Sequence, residues 1–297
     1  MIHHRPTAPR SPKKYIQIDG RQIAYIDQGE GFPVLLGHCY LWDGEMWRPQ
    51  IDALSRHFRV LAPDLWGHGE SDGLPATCES LDDLAALHAK FLDALNIEKC
   101  HAVGISIGGM WAARLAIEHP EKVERMVLMG TDLGAEDAMM RTRYFHILDR
   151  IADAGGFETA VIDTIMAMVF HSNGRTIPRY RQAYRQSLMQ QSTIVLRDSL
   201  VPLGKMIFSR PDILHLAETL SADRTLVLSG EHDVPRPPAE SRLMAERIGC
   251  RYVLVPDAAH IMNLEKPEFV NGILSTWLLG HAQQDQATGA DRRHKNT

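Results

Sequence analysis

The most informative segment of the chain reads Val103-Gly104-Ile105-Ser106-Ile107-Gly108-Gly109, where an apolar run gives way to a helical pattern. It fits G-x-S-x-G, in which a serine stands on a sharp turn between a strand and a helix and small neighbours leave room for the turn. The bare pattern is weak, since chance gives on the order of 0.1 matches in a chain of this length. A glycine-rich helix start that only packs on a sheet is the structural alternative. The strand-to-helix context favours a serine hydroxyl raised above a sheet edge.

Short β-type runs alternate with helical patterns on both sides of this turn, which is typical of a mainly parallel sheet covered by helices. The runs that predict strands are residues 15–18, 22–26, 34–36, 58–62, 100–105, 123–129, 225–229 and 251–255. Between them, helices are predicted over residues 44–55, 80–95, 108–118, 237–248 and 267–279. Asp19-Gly20 joins the first two strands and is a hairpin signal.

The alternation stops between residues 135 and 215, where the pattern is helical throughout, with breaks at residues 155–156, 173–174 and around Pro202. We therefore predict one α/β core, residues 15–134 and 216–280, interrupted by a helical lid over residues 135–215. Residues 1–14 are basic and contain three prolines, and they are expected to form a flexible arm. Residues 281–297 have almost no large apolar side chains, and we expect a solvated polar tail.

A serine hydroxyl needs a base to take its proton and an acid to orient that base. His260 follows the strand over residues 251–255, and Asp233 follows the strand over residues 225–229. Parallel strands end at one edge of a sheet, so both side chains are expected near Ser106. Asp132, at the end of the strand over residues 123–129, is the rival for the acid.

Several motifs in order resemble the α/β-hydrolase superfamily across residues 15–279. They are Gly37-His38, the run from Ala62 to Asp72 (APDLWGHGESD), the turn at Ser106, Gly230-x-x-Asp233-x-x-x-Pro237, and His260-x-x-x-Leu264-Glu265-x-Pro267. The resemblance implies an eight-stranded, mostly parallel sheet with a lid after the sixth strand, and a catalytic Ser106, Asp233 and His260. The turn at Ser106 looks like that of the carboxylesterase, enol-lactonase and cofactor-free perhydrolase branch.

The same resemblance implies an oxyanion hole built from two backbone N–H groups. One belongs to Ile107, which follows the serine, and the other lies in the loop after the third strand, at Tyr40. Families of this kind usually carry His-Gly before that position, whereas this chain has His38-Cys39. Cys39 therefore stays open as the alternative donor, while His38 and His68 are expected to support loops.

Composition excludes several classes of function. The chain has 297 residues and a net charge of -5, which offers no broad field for a nucleic-acid backbone. It contains no apolar run long enough for a membrane span and no secretory signal. Its four cysteines lack metal or disulfide spacing, so we expect a reduced, cytoplasmic protein. Metal, dinucleotide and phosphate-loop motifs are absent from the sequence, and we expect no metal and no organic cofactor.

The helical block is rich in methionine and aromatic residues, which suits a pocket for an apolar acyl or alcohol group. It also carries Arg175, Arg179, Arg181 and Arg185 with no acid among them. These arginines predict either a solvated helix face, which we favour, or a surface for an acidic substrate group or an acidic carrier protein.

The function that these features favour is cleavage of a carboxylic ester or lactone by a serine hydrolase. Relatives that open carbon–halogen bonds or epoxides generally use an aspartate at the position of Ser106, which argues against those reactions. A perhydrolase, a C–C bond hydrolase with the same triad, and a non-catalytic receptor for a small ligand remain as alternatives.

Overall fold

Eight strands form one sheet among the described residues, with the order β1-β2-β4-β3-β5-β6-β7-β8. The computed structural model describes the backbone of residues 12–171 and 178–293, and the side chains of these residues up to residue 280. The strands are β1 Lys14–Ile18, β2 Arg21–Gln28, β3 Pro33–Gly37, β4 Arg59–Pro63, β5 Cys100–Ile105, β6 Val123–Met129, β7 Thr225–Gly230 and β8 Arg251–Val255. The β1–β2 and β2–β4 pairs are antiparallel and all the others are parallel. The predicted fold is confirmed.

The hairpin between β1 and β2 turns at Asp19 and Gly20, which both have positive φ angles of 50° and 77°. Such a pair of angles matches the right-handed twist of two antiparallel strands. The strand begins inside the predicted flexible arm, since Lys14 is its first residue and the Lys13 ammonium pairs with Asp64 at 2.5 Å. Lys13 and Lys14 of the predicted arm are therefore in contact with the core, and residues 1–11 lie outside the described residues.

Helices cover both faces of the sheet. They are α1 Arg48–Leu54, α2 Leu81–Ala94, α3 Ile107–Glu118, α4 Ala138–Ala154, α5 Thr159–Val169, α6 Pro178–Met189, α7 Thr193–Val195, α8 Val201–Phe208, α9 Pro238–Ile248, α10 Met262–Glu265 and α11 Pro267–Arg293. Side chains of α2, α3 and α9 share one hydrophobic cluster, and those of α1 and α11 share another. Adjacent residues of a strand divide between the two clusters, as a period of two requires: Leu35 belongs to the first, and Val34 and Leu36 to the second.

Helices α4 to α8 form an insertion between β6 and β7, which we call the helical insertion. The break predicted around Pro202 is wrong, because helix continues from α7 into α8 through a π turn over Leu196–Leu200. Proline has no N–H to donate into a helix and crowds the preceding turn, and here the wider π turn directly precedes it. The predicted break at residues 173–174 lies outside the described residues.

The two ends of the helical insertion are joined by a buried ion cluster. Glu136, before α4, accepts hydrogen bonds from Arg210, after α8, and from Arg236 of the loop after β7. The Arg210 guanidinium also lies 3.8 Å from Asp132. This cluster ties the insertion to the ends of β6 and β7.

The last helix continues to Arg293, beyond the predicted end at residue 279. Residues 281–293 are polar, but alanine, glutamine and arginine are good helix formers, so a polar composition does not end the helix. None of the described helices combines the length and apolar character that crossing a membrane requires.

Candidate active site

Ser106 stands between β5 and α3 with φ 56° and ψ -123°, a conformation that L residues rarely adopt. Small neighbours allow it. A Cβ on Gly104 would lie 2.2 Å from the Gly108 carbonyl oxygen, and a Cβ on Gly108 would lie 2.1 Å from the Gly37 carbonyl oxygen. The Ser106 N–H donates to Met129 at 2.9 Å, and its carbonyl oxygen accepts from the Thr131 hydroxyl at 2.7 Å. The glycines of the predicted pattern are therefore needed for the close approach of β3, β5 and α3.

Asp233 and His260 form a buried pair. The His260 Nδ1 lies 3.0 Å from both carboxylate oxygens of Asp233, and the two residues are 2% and 4% exposed respectively. Asp233 also accepts the Arg236 backbone N–H at 2.9 Å. Since Nδ1 donates to the carboxylate, Nε2 is the nitrogen left to face the cavity that His260 and Ser106 both line.

The electrostatic balance at His260 favours its charged form. Burial has the largest single effect and lowers the pKa of His260, but the charge and hydrogen bond of Asp233 and the Cys39 side chain together outweigh it. The pKa of His260 is therefore raised above that of a free imidazole. The same carboxylate would stabilise an imidazolium formed during proton transfer.

The Asp132 carboxylate contacts groups other than His260. Its carboxylate accepts the Gly134 N–H at 2.9 Å and faces Arg210. Burial raises the pKa of Asp132 despite the arginines nearby. The structure therefore pairs His260 with Asp233 and not with the rival acid.

The loop after β3 offers three successive N–H groups, and two of them have partners. Cys39 donates to the Met46 sulfur at 3.3 Å, and Leu41 donates to His68 Nε2 at 3.1 Å. Within the described residues, the Tyr40 N–H has no acceptor, and Ile107, as the first residue of α3, has no acceptor within its helix. Of the two donors left open by the sequence, Tyr40 is thus the one that is free.

Two neutral histidines hold this loop in place, as the sequence predicted. His38 accepts the Leu65 N–H at 2.8 Å through Nε2, and its Nδ1 lies 2.8 Å from the Cys39 carbonyl oxygen. Burial lowers the pKa of His38 and of His68 to about 3. Both rings therefore accept an N–H through one nitrogen and donate through the other.

The Tyr40 side chain joins the loop to the helical insertion. Its hydroxyl donates to the Leu200 carbonyl oxygen at 2.5 Å, and a Cβ on Gly204 would lie 2.7 Å from that hydroxyl. The Tyr40 side chain thus connects the loop after β3 to the helical insertion at the cavity wall.

A cavity of about 110 Å³ lies between Ser106, His260 and the helical insertion. Its walls are mainly apolar, and the insertion supplies most of them: Tyr144, Ile147, Leu148, Ile151, Ile165, Met168, Val169, Tyr184, Ile207 and Phe208. Met139 and Met189 are instead largely exposed. Sequence reasoning missed Arg236, which also lines the cavity and pairs with Glu136 and Glu240. No motif marked it, because its role depends on partners 100 and 4 residues away.

The arginines of the helical insertion have local partners. The Arg179 guanidinium lies 4.9 Å from the Tyr180 ring and that of Arg181 lies 4.8 Å from the Phe170 ring, while Arg185 pairs with Asp163 at 2.6 Å. Arg175 lies outside the described residues. These contacts fit the solvated helix face, and the acidic carrier stays an untested prediction.

One group of possible metal ligands occurs among the described residues. Atoms of Glu231, His232 and Asp257 lie within 4.8 Å of one another, but all three residues are exposed and none lines the cavity. The polar residues that line the cavity are Ser106, His260, Cys39 and the ion-paired Arg236, together with Tyr40, Tyr144 and Tyr184.

Comparison with known proteins assigns the family. A family model described as the alpha/beta hydrolase fold matches residues 33–267. The chain belongs to this family. The alpha/beta hydrolase is 28% identical over 228 residues to 3-oxoadipate enol-lactonase 1 of Acinetobacter baylyi, covering 76% of this chain and 80% of the relative.

Solved structures of the family agree in shape. A thermophilic esterase from Thermogutta terrifontis superposes with a TM-score of 0.79 at 26% identity, covering 90% of this chain and 98% of the esterase. The enol-lactonase from Burkholderia xenovorans LB400 superposes with a TM-score of 0.78 at 26% identity, covering 89% and 99%. This alpha/beta hydrolase is therefore a hydrolase of the superfamily that its sequence resembles.

Proposed function

We propose that the protein hydrolyses a carboxylic ester or lactone through an acyl-enzyme on Ser106. The observation that carries the proposal is that Ser106 and His260 line one cavity, while His260 Nδ1 is bonded to the buried Asp233 carboxylate. The similarity to enol-lactonases and an esterase supports the choice of a carbonyl substrate.

In the first half of the reaction, His260 Nε2 takes the Ser106 proton while the serine oxygen attacks the carbonyl carbon. The Ile107 and Tyr40 N–H groups bind the oxygen that becomes negative, and each such donor contributes about 3 kcal/mol of transition-state stabilisation. His260 then gives its proton to the leaving alkoxide. Asp233 keeps the imidazole in one tautomer and stabilises its positive charge.

In the second half, water replaces the alcohol. His260 removes a proton from water, the hydroxide attacks the acyl carbon, and the second tetrahedral intermediate uses the same two N–H groups. Its collapse returns the proton to Ser106. No further group is required for these steps.

The cavity indicates a compact apolar group on the substrate. A cavity of about 150 Å³ with apolar walls holds benzene, so the cavity of about 110 Å³ suits a group of similar or smaller size. Arg236 is already paired with two glutamates, so its charge is largely compensated. We propose that the helical insertion acts as a lid that closes over this group.

Turnover of p-nitrophenyl esters and small lactones by wild type and Ser106→Ala tests the proposal. We expect the variant to keep the fold, measured by circular dichroism, and to lose about 10⁴-fold or more in kcat/KM. Wild-type activity in the variant would overturn the mechanism. The panel also includes a vinylogous diketone and a carboxylic acid with peroxide. Turnover of these compounds alone would assign C–C bond cleavage or perhydrolysis in place of ester hydrolysis. Binding of panel compounds without any turnover would leave a receptor instead.

A further inference from the structure

Cys39 brings a thiol into the cavity beside the serine. The residue is 4% exposed, and it lines the cavity together with Ser106 and His260. Two hydrogen bonds fix its backbone: the Cys39 N–H donates to the Met46 sulfur, and the Cys39 carbonyl oxygen accepts the Trp42 N–H. The side chain is therefore held at the cavity wall by a loop whose shape does not depend on the sulfur.

Cys39 and His260 line one cavity, and the Cys39 side chain contributes to the raised pKa of His260. An adjacent imidazole can take a thiol proton and leave the thiolate, which is the reactive form of cysteine. His260 is 2% exposed and lines the same cavity. The cavity thus brings a cysteine and an imidazole to one ligand site.

The other three cysteines lack these features. Burial raises the pKa of Cys78 and of Cys100 to about 12 and that of Cys250 to about 11. None of the three lines the cavity. A reagent that reaches the cavity therefore meets one thiol there, next to a base.

We propose that Cys39 is a covalent attachment site for soft electrophiles, with α,β-unsaturated carbonyl compounds as the ligand class. The thiol proton moves to His260, and the sulfur forms a bond to the β-carbon. The π electrons of the C=C bond move to the α-carbon, which then takes the proton from His260. Nothing leaves and no oxidant or reductant is needed. The apolar cavity suits the carbon skeleton of such a compound, and the adduct would block Ser106.

N-Ethylmaleimide is the probe, and mass spectrometry of the intact protein and of its peptides measures the labelling rate at each cysteine. Because Cys250 is partly exposed, it serves as the internal reference. We expect Cys39 to be labelled at least about tenfold faster than Cys250. Cys39→Ala should lose this fast adduct, and any ester turnover that this variant retains should resist the reagent.

Two further arms test the site itself. His260→Gln keeps a side chain of moderate size without an imidazole, and it should slow Cys39 labelling about tenfold while leaving Cys250 labelling unchanged. Wild type whose Ser106 carries a phosphonate should be protected at Cys39. Equal labelling of Cys39 and Cys250, or unchanged Cys39 labelling in His260→Gln, would overturn the proposal. The labelling rates in wild type, Cys39→Ala and His260→Gln are read without substrate, so these arms are independent of ester hydrolysis, whereas the phosphonate arm rests on the proposed role of Ser106.

Discussion

At the scale of single residues, the Asp233–His260 pair predicts a specific pH effect. In Asp233→Asn the carboxylate charge is lost while the burial of His260 remains, so the pKa of His260 falls. The base is then neutral down to a lower pH, and the acidic limb of kcat/KM should move to lower pH. The plateau should fall about 10⁴-fold, because the asparagine no longer fixes the tautomer.

The pH–rate profile of an ester from about pH 4 to pH 11 measures both effects, because the pKa of His260 is raised to about 10. Asp132→Asn is the matched control, since Asp132 is also a buried aspartate but faces Arg210. Its acidic limb should stay at the wild-type pH. A shift in the control and none in Asp233→Asn would assign the acid to Asp132.

The sequence predicted the individual residues of the site from strand ends, and the structure brings Ser106, Asp233 and His260 to one edge. It left two choices open for a physical reason. Asp132 and Asp233 follow adjacent parallel strands, so only the direction of each carboxylate separates them. Likewise, nothing in the sequence shows that Met46 takes the Cys39 N–H.

At the scale of elements, glycines set the distance between β3 and α3, and this can be tested at Gly108. An alanine Cβ there would lie 2.1 Å from a backbone oxygen of Gly37, so the strand and helix would have to separate. We expect Gly108→Ala to lower the free energy of unfolding by about 3 kcal/mol or more. Urea denaturation of wild type and variant measures this difference in the free energy of unfolding.

Gly272 provides the control for this substitution. It lies in α11, and a Cβ added to it would meet no atom within 4 Å. Gly272→Ala should raise the free energy of unfolding by about 0.5 to 1 kcal/mol, because alanine favours the helix. Equal effects of the two substitutions would mean that the close approach at Gly108 does not matter.

The periodic elements were the most predictable parts of the chain. β5 and β6 have the predicted bounds, Cys100–Ile105 and Val123–Met129, because each is a short, mainly apolar run between clear breaks. The break predicted at Pro202 is absent, because the helix continues past this proline after a π turn. The end of α11 was also missed, because a polar segment lacks the apolar period that marks an amphipathic helix.

At the scale of the whole molecule, the sheet gathers loops that are far apart in the sequence, and the helical insertion closes a cavity over them. The ion cluster of Glu136, Arg210 and Arg236 joins both ends of the insertion to the core. Such partnerships are absent from sequence periodicity, so the position of the insertion could be predicted but its contacts could not. The proposed mechanism therefore requires that Ser106, between β5 and α3, lies next to His260, in the loop after β8.

Labelling with a fluorophosphonate tests that assembly most directly. The reagent needs a serine oxygen made nucleophilic by a neighbouring base, and it forms a stable adduct that intact-protein and peptide mass spectrometry locate. We predict one adduct per chain, on Ser106, absent from Ser106→Ala and strongly slowed in His260→Gln. A wild-type protein that takes up no reagent, or carries it on another residue, would contradict the account.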